Sequence, residues 1–406
     1  MSTSTPTNNP TGLPAFPGRR DARCPFDPPQ EYADWRAAEG LQRAVSHGEP
    51  LWVVSRYADI RAALSDPRLS SDDRRPGYPA SSGKAGDLPQ SFQRMDDPEH
   101  ARLRMMLTGE LTIKRVERMR PDVQKMADDF LDQMIAKGQP ADLVRDYALP
   151  IPSLVISLLL GVPYSDHEFF QQHSNTLTDA NTTEQGRRVA SGALFGYLLE
   201  LVGRKEREQG DDLISRLIGE RVATGELTRE DVAMDGLMLL IAGHETTANM
   251  TALSTLALLV HPDQAARIRD TDDPAVVANA IEELLRYLTV PQDHVWRVAT
   301  EDLTLGGQLI RAGEGVTVNL PAGNRDRAFL DRPDALDVDR NSRGHVAFGY
   351  GTHQCLGQSL ARMELQVALP TLLRRLPGLR LAVPLEELRL RHDMAVYGVR
   401  ELPVAW

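Results

Sequence analysis

The stretch that most constrains this chain is residues 348–357, which read Phe-Gly-Tyr-Gly-Thr-His-Gln-Cys-Leu-Gly and carry one of only two cysteines among 406 residues. Two glycines two positions apart, Gly349 and Gly351, let a loop turn tightly and bring several backbone N–H groups close to one atom. A lone thiolate in such a nest suits a single metal bond, and the N–H groups should lower the pKa of the Cys355 thiol. Gly357 leaves room for a flat, bulky group at the start of the next helix. A structural cysteine in a glycine-rich turn is the commoner meaning of an arbitrary cysteine, but it does not account for this spacing.

The composition is that of an ordinary globular protein, with 41% hydrophobic and 25% charged residues. The net charge of −11 argues against nucleic acid as a partner. Two cysteines give no disulfide framework and suit a reducing cytosol. Residues 1–10 have no apolar run, and prolines break the apolar residues 148–164, so neither a signal peptide nor a membrane-spanning helix is expected. We predict a cytoplasmic protein with a disordered lead over residues 1–22 and a single domain over 23–406.

Hydrophobic periodicity predicts a mainly α-helical fold with small β-sheets. The predicted strands are 51–55, 297–299 and a small meander of 303–305, 308–310 and 316–320, followed by short terminal strands within 388–404. Residues 70–93 are rich in Ser, Asp, Gly and Pro, and such a long loop is typical of a functional or mobile segment, so we interpret it as a lid. The predicted helices cover 31–38, 57–64, a segment that begins near 98, 112–136, 143–160, 166–176, 184–207, 213–219, 228–259, 274–288 and 358–374.

The helix predicted from Thr228 onwards is long enough to cross the molecule, and its middle is apolar on all sides, which indicates a buried central helix. That buried centre nevertheless contains Ala-Gly-His-Glu-Thr-Thr over residues 242–247. A glycine and an acid are costly there, and costly local choices are expected at functional sites. Thr246 can bond back to a carbonyl and open the helix for a small ligand. A zinc motif His-Glu-x-x-His fails because position 248 is Ala248, whereas a purely structural Glu/Thr pair stays possible.

Two further pairs of charged or polar residues are weak signals when each is considered alone. His100 and Arg104 share one helix face, which by itself indicates a solvated surface. Glu283 and Arg286 can form a bidentate ion pair at i, i+3, although such a pattern usually marks a surface pair.

Together these stretches resemble the cytochrome P-450 family, the haem-thiolate monooxygenases, over nearly the whole chain from about residue 24. The resemblance is carried by residues 242–247, by Glu283-x-x-Arg286, by Asn-Arg-Asp at 324–326 and by 348–357, and it is strongest to the actinobacterial branch that oxidises secondary metabolites and xenobiotics. It implies the P-450 fold, with the long helix crossing haem b (iron protoporphyrin IX). The chain departs from the family at residues 96–98, Asp-Asp-Pro, where a double proline is usual, at Gly323 and Arg327, and at the bulky Trp296.

The resemblance assigns a role to each matching residue. Cys355 would be the thiolate ligand of the iron, and Glu245 with Thr246 the catalytic acid–alcohol pair that supplies protons. An ion-pair triad of Glu283, Arg286 and Arg340 would hold the cysteine loop. The other haem contacts would be His100, Arg104, Arg297 and His353 at the propionates, with Phe348, Gly349, Gly351 and Gly357 around the cysteine. The substrate contacts would come from the 76–93 loop and from Leu239, Ala242, Gly243, Val290, Asp293, His294, Val295, Ala395 and Val396.

The implied reaction is insertion of one atom of O2 into a small organic molecule, as in hydroxylation or epoxidation of a macrolide or another secondary metabolite of the kind found in antibiotic biosynthesis. The chain has no flavin or nicotinamide fingerprint, so electrons should come from NADPH or NADH through a ferredoxin reductase and a ferredoxin. A monomer is expected. The ferredoxin should dock near Cys355 on Arg102, Lys114, Arg115, Arg118 and Arg362. Peroxide-driven oxidation or oxidative phenol coupling is the alternative, and a non-catalytic haem sensor or carrier is a third possibility.

Overall fold

The structure is a computed structural model that describes residues 12–21, 24–79, 90–178, 182–293, 295–392 and 394–406. In these ranges the helices predicted from the sequence form, with ends that shift by a few residues. Two helices, α10 and α12, were not predicted, because His261 and Pro262 were expected only to stop the preceding helix and Leu320 was expected to end a strand. The α-helices are α1 (Glu31–Ala37), α2 (Tyr57–Ser65), α3 (Glu99–Thr108), α4 (Ile113–Lys137), α5 (Pro150–Leu160), α6 (His167–Thr178), α7 (Glu184–Lys205), α8 (Leu213–Leu217), α9 (Arg229–Val260), α10 (Pro262–Arg269), α11 (Pro274–Leu288), α12 (Leu320–Gly323) and α13 (Gln358–Arg375).

The strands form three small sheets. A five-stranded sheet has the order β1-β2-β8-β5-β3, in which β2 and β8 are parallel and the other pairs antiparallel. A three-stranded sheet has the order β4-β10-β9, and β6 and β7 form a hairpin. The strands are β1 (Gln42–Ser46), β2 (Glu49–Val54), β3 (Leu69–Ser70), β4 (Ala141–Asp142), β5 (Trp296–Ala299), β6 (Leu303–Leu305), β7 (Gln308–Ile310), β8 (Gly315–Val318), β9 (Arg380–Leu381) and β10 (Pro403–Ala405).

The predicted meander of β6, β7 and β8 is wrong in its last pairing. The strand β8 leaves the hairpin and lies between β2 and β5, with Trp52 opposite Val316 on one side and Arg297 opposite Val316 on the other. All four residues of β8 are buried. A short strand that is buried along its whole length belongs inside a sheet, because both of its edges then find hydrogen-bond partners.

The central helix α9 is fixed at its N-terminus by a capping box. The Thr228 hydroxyl accepts from the Asp231 N–H at 3.1 Å, and the Asp231 carboxylate accepts from the Thr228 N–H at 2.9 Å. Its 32 residues give a helix of about 48 Å, enough to cross the molecule. It packs against α5, α7 and α13, so the helix runs through the main hydrophobic core. At Gly243 a Cβ atom would lie 3.1 Å from Ile156 of α5, which explains a glycine inside a helix.

The N-terminal segment differs from the disorder predicted for it wherever it is described. The Phe16 N–H donates to the Val45 carbonyl at 2.8 Å, and the ring is 4% exposed beside Tyr32 and Trp35. Burying one aromatic side chain is enough to fix a short polar segment. Residues 1–11 of the predicted lead and residues 80–89 of the predicted lid lie outside the described residues. No helix in the described part of the chain is long and apolar enough to span a bilayer.

Candidate active site

The cysteine loop folds as its glycines predict. Gly349 and Gly351 have φ of 71° and 73°, the left-handed region that favours glycine. A Cβ at Gly351 would lie 2.3 Å from the Leu64 carbonyl oxygen, so no other residue fits there without movement. The Cys355 N–H donates to the Phe348 carbonyl at 2.8 Å, which closes the loop just before α13. By contrast, a Cβ at Gly357 would meet no protein atom within 4 Å, as expected if this glycine borders a ligand.

The nest acts on the pKa of the Cys355 thiol in the predicted direction, but in the protein alone this pKa is raised rather than lowered. Burial raises this pKa, and the Gly357 N–H, Arg104 and Arg362 oppose the rise without overcoming it. A thiolate at this position therefore needs a further positive charge, and a metal ion supplies one because a coordinating thiol is deprotonated outright. The residue nevertheless has accessible surface, although it lies deep inside the protein.

A completed ion pair lies behind the cysteine loop. The Arg286 Nε and Nη2 donate to the two oxygens of Glu283 at 2.7 and 2.8 Å, and both side chains are fully buried. Arg286 also donates to the Asn324 and Pro333 carbonyls, and the Asp337 N–H donates to Glu283 at 3.1 Å. The third member of the predicted triad, Arg340, contributes little, because its Nη1 is 4.0 Å from Glu283.

A second network next to that pair was not predicted. The Glu282 carboxylate accepts from Arg362 Nε at 2.5 Å and contacts His345 Nε2 at 3.2 Å. The Arg362 guanidinium also lies 4.5 Å from the centre of the Phe348 ring. Burial acts to raise the pKa of Glu282, but the hydrogen bonds from His345 and Arg362 outweigh it and hold the pKa at about 2. Arg362 is therefore used to hold the cysteine loop, which corrects its prediction as an exposed docking residue.

Arginine and histidine side chains converge near the loop from three separate elements. The rings of His100 on α3 and His353 stack at 3.9 Å. Arg104 Nη2 donates to the Gln354 carbonyl at 2.5 Å, and Arg297 is buried on β5, where burial lowers its pKa to about 10. Burial, followed by the nearby Arg297 and His100, lowers the pKa of His353 to about 2. The structure thus brings together all four residues predicted to bind one acidic group.

The same cluster contains a cation that the sequence did not reveal. Arg94 lies over the rings of Trp296 and Tyr78, at 5.1 and 5.5 Å. In the described part of the chain, no carboxylate comes within ion-pair distance of Arg94, Arg104 or Arg297. The unusual Asp97 also has a part, because it contacts His100 Nδ1 at 2.9 Å, while the buried Nε2 of that ring has no partner among the described residues.

Two neighbouring stripes of α9 carry the predicted acid and alcohol. The Thr246 hydroxyl donates to the Ala242 carbonyl at 2.7 Å, as predicted, but the helix continues unbroken through this point rather than opening. Ala242 is exposed and Thr246 half-buried, although the helix on either side is largely buried, so this stripe borders an internal space. Glu245 is 1% exposed, with one carboxylate oxygen 2.8 Å from Arg391 Nη2. Nothing in the sequence pointed to Arg391.

The predicted substrate contacts are only partly brought together. Residues near 290 meet the C-terminal segment, because Tyr397 N–H donates to the Val290 carbonyl and Pro291 is bridged to Val396. Asp293 instead contacts His47 at 3.0 Å with its carboxylate, and Gly243 faces Ile156, so neither side chain position is open as a substrate contact would be. Leu239 is buried, Val295 and Ala395 are half-buried, and His294 lies outside the described residues.

Comparison with known proteins agrees with this geometry. The family profile described as "Cytochrome P450" matches residues 203–378. The protein named "Cytochrome P450-SU2", from Streptomyces griseolus, is 51% identical over 410 residues, which cover 100% of both chains. The chain belongs to the cytochrome P450 family. As predicted, it is a haem-thiolate monooxygenase of the actinobacterial type.

Solved structures of P450s confirm the predicted fold. The crystal structure of GfsF superposes with a TM-score of 0.90 at 51% identity and covers 97% of this chain and 100% of its own. The structure of the mycinamicin VIII C21 methyl hydroxylase MycCI from Micromonospora griseorubida, bound to mycinamicin VIII, has a TM-score of 0.91 at 40% identity, with 97% and 100% covered.

The residues of this P450 fit haem by three independent observations. Cys355 and Ala242 both have accessible surface inside the molecule, and the Cβ direction of Gly357 is open. Among the described residues, no carboxylate lies within ion-pair distance of Arg94, Arg104 or Arg297, and two propionates would supply that negative charge. The buried His100 Nε2 also lacks a partner there. A flat, iron-containing dianion satisfies all of these groups together.

Proposed function

We propose that this P450 hydroxylates or epoxidises a small secondary metabolite, a macrolide or another polyketide in particular, or a comparable xenobiotic. The observation that carries the proposal is the likeness to the hydroxylase of mycinamicin VIII over nearly the whole of both chains. An intact acid–alcohol pair at Glu245 and Thr246 supports turnover with O2 rather than with peroxide, since only the O2 reaction needs protons delivered to a dry site.

Haem with a thiolate ligand supplies the activation of O2 and the transfer of one oxygen atom to the substrate. In our proposal Cys355 holds the iron, while His100, Arg104, Arg297 and His353 bind the propionates. Arg94 adds a fifth contact to that acidic edge, held in place by Trp296 and Tyr78.

In our proposal, residues of α9 supply protons on the side of the haem opposite Cys355. The Thr246 hydroxyl donates to the Ala242 carbonyl within α9 and can turn to donate into the internal space instead. Once the Thr246 hydroxyl has given up its proton, Glu245 on the adjacent stripe of the helix supplies the proton that replaces it. Helices α5, α7 and α13 pack around α9 and limit the access of bulk water, which favours proton delivery along this route.

Electrons reach the haem from a ferredoxin in this proposal. Of the five cations predicted to bind it, Arg362 is bound to Glu282 and Arg115 to Glu110. Arg102, Lys114 and Arg118 stay exposed, and the apolar side chains of Met105 on α3 and Ile113 on α4 are 72% and 71% exposed. We expect Lys114→Glu with Arg118→Glu to slow ferredoxin-driven reduction at low salt, whereas Arg267→Glu, on α10, should not; equal rates would exclude this surface. We further propose a cytoplasmic monomer.

The decisive experiment is a binding screen that detects compounds by the change of the haem from low to high spin. Compounds that bind are then turned over with NADPH, ferredoxin reductase and ferredoxin, and the products are identified by mass spectrometry and NMR. Products that gain one oxygen atom from O2 support the proposal. Turnover that needs only hydrogen peroxide, or binding without any product, contradicts it. Cys355→Ser should abolish the red-shifted Soret band of the reduced carbonyl complex, and an unchanged band would exclude Cys355 as the ligand.

A further inference from the structure

The Glu245 carboxylate reaches a polar cleft on one side of α9. The cleft lies between this helix, the π-helical turn Val144–Ala148 and the C-terminal segment near Arg391, and we call it the Arg391 cleft. Its volume is about 160 Å³, well above the roughly 10–15 Å³ that one water molecule needs. Arg145 and Arg400 at its rim are exposed, whereas Glu245 at its inner end is 1% exposed. The cleft therefore joins the protein surface to the one acid of the central helix segment.

Helical geometry places Glu245 between the cleft and the internal space. Glu245, Ala248 and Asn249 line the cleft, and they share one side of α9 because they are three and four residues apart. Thr246 lies about 100° around the helix from Glu245 and Ala242 about 60° in the same direction, so these two residues form the adjacent stripe. A carboxylate at this position can turn towards either side without any movement of the backbone.

The contacts of Glu245 leave half of its carboxylate unused. Oε2 lies 2.8 Å from Arg391 Nη2 and accepts from Asn249 Nδ2 at 3.3 Å. Oε1 is buried and has no hydrogen-bond partner in the described part of the chain, and His244 Nε2 lies 3.8 Å from it. A buried charged oxygen without a partner is costly, and in a polar cleft of this size water is the partner that fits.

Arg391 is attached firmly at its backbone and loosely at its guanidinium. Its N–H donates to the Gly398 carbonyl at 2.9 Å, and its own carbonyl accepts from Gln292. The guanidinium approaches Glu245 through one nitrogen, and its buried Nε has no partner among the described residues. A bidentate pair would hold both groups, whereas a single contact lets the guanidinium rotate into the cleft.

We propose that the Arg391 cleft is the entrance for protons, and that Arg391 is a positioning residue that controls how Glu245 takes them up. The inference rests on the proposed function of Glu245. While Arg391 is in contact, it holds the Glu245 side chain towards the cleft. When the guanidinium turns away, a hydronium ion among the cleft waters gives its proton to the carboxylate, and a water molecule remains. The acid then turns towards Thr246, gives up the proton and returns as a carboxylate to Arg391.

The first test is independent of turnover and examines the pair itself by thermal unfolding of the haem-loaded enzyme. Arg391→Gln should lower the Tm, because it leaves a buried carboxylate unpaired, and Glu245→Gln in that background should restore most of the loss. The matched control is Arg389→Gln two residues away, since Arg389 pairs with Glu401 on the surface. Additive effects of Arg391→Gln and Glu245→Gln would show that the two groups are not coupled and would overturn the proposal.

The second test measures proton delivery in the reconstituted enzyme, once a substrate is known. Arg391→Gln should release several-fold more hydrogen peroxide per electron pair and should change the solvent isotope effect on turnover, whereas Arg391→Lys should restore part of the coupling. Val144→Trp, which places a much larger side chain in the cleft, should slow turnover several-fold and leave the spin-state change on substrate binding intact. Arg389→Gln should match the native enzyme.

The outcomes separate this inference from the function on which it rests. If Glu245→Gln uncouples the reaction while Arg391→Gln and Val144→Trp do not, Glu245 serves as the acid but its protons enter elsewhere, and the cleft proposal is wrong. If Glu245→Gln also leaves coupling unchanged, the acid itself is misassigned. If Arg391→Gln and Arg391→Lys are equally uncoupled, the positive charge is not what positions Glu245, and the role given to Arg391 is likewise overturned.

Discussion

This P450 contains two buried glutamate–arginine pairs, of which one stabilises the fold and the other is proposed to take part in proton transfer. Glu283 and Arg286 meet through two nitrogens at 2.7 and 2.8 Å, and backbone groups complete both side chains. Glu245 and Arg391 meet through one nitrogen at 2.8 Å beside a cleft, and each has a buried atom without a hydrogen-bond partner among the described residues. A completed pair has one arrangement. An incomplete pair next to water has at least two, which is what proton transfer requires.

The largest expected effect is on the completed pair. Glu283→Gln leaves the fully buried Arg286 guanidinium without its counter-charge, so we expect a loss of about 3–5 kcal/mol in the free energy of unfolding. Urea unfolding followed by circular dichroism measures it. As a control, Arg267→Gln removes an exposed pair with Asp339 and should cost less than about 1 kcal/mol. Similar losses for the two variants would show that burial of the pair is not what matters.

The second effect depends on pH and concerns Glu282 next to that pair. Its pKa is about 2 in the folded protein against an ordinary value of 4.5, because His345 and Arg362 outweigh the effect of burial. A lowered pKa contributes stability that is fully present above pH 4.5 and is lost as the pH falls to 2, on the order of 3 kcal/mol in all. Between pH 7 and pH 3 the free energy of unfolding should therefore fall more steeply with decreasing pH for the native protein than for Glu282→Gln. Glu386→Gln, which changes an exposed glutamate, is the control and should keep the pH dependence of the native protein. If this variant also lost the pH dependence, groups other than Glu282 would be responsible for it.

The third effect separates the glycines of the cysteine loop. Gly351→Ala should cost about 1–3 kcal/mol, because φ is 73° and the Leu64 carbonyl lies 2.3 Å from the new Cβ. Gly357→Ala has an ordinary φ of −81° and no protein atom near its Cβ, so the free energy of unfolding of the haem-free protein should not change. Haem titration should nevertheless show weaker binding by the second variant. Equal destabilisation of the haem-free protein by both would mean that Gly357 faces protein rather than haem.

The last comparison concerns Glu245→Gln, which should cost at most about 1 kcal/mol in stability, because cleft water can solvate the Arg391 guanidinium once the carboxylate is gone. The same substitution should strongly reduce the fraction of electrons that reach product, measured as product formed per NADPH consumed. A loss in stability as large as that of Glu283→Gln would erase the distinction between the two pairs.

The sequence predicted the supporting half of the site better than the reacting half. Residues 348–357 and Glu283-x-x-Arg286 are local patterns whose spacing alone determines which groups meet, and the structure has both arrangements. The contacts of Arg391 with Glu245 and of Arg362 with Glu282 join residues 146 and 80 positions apart, and no local pattern encodes them. The same limit applies to β8, whose partners lie in distant strands. The direction of the Cys355 pKa failed for another reason: burial, which opposes the nest, follows from the whole fold.

The backbone around Gly398 has a consequence for anyone who redesigns this enzyme. Its carbonyl fixes Arg391, and a Cβ there would lie 1.8 Å from Asn249 Oδ1 on α9. Ala395 and Val396, the proposed substrate contacts, occupy the same short turn. Random mutagenesis of this turn for new substrates would thus also perturb proton supply, and many variants would bind well yet waste their electrons. Libraries that hold Arg391 and Gly398 constant should yield a larger share of productive enzymes.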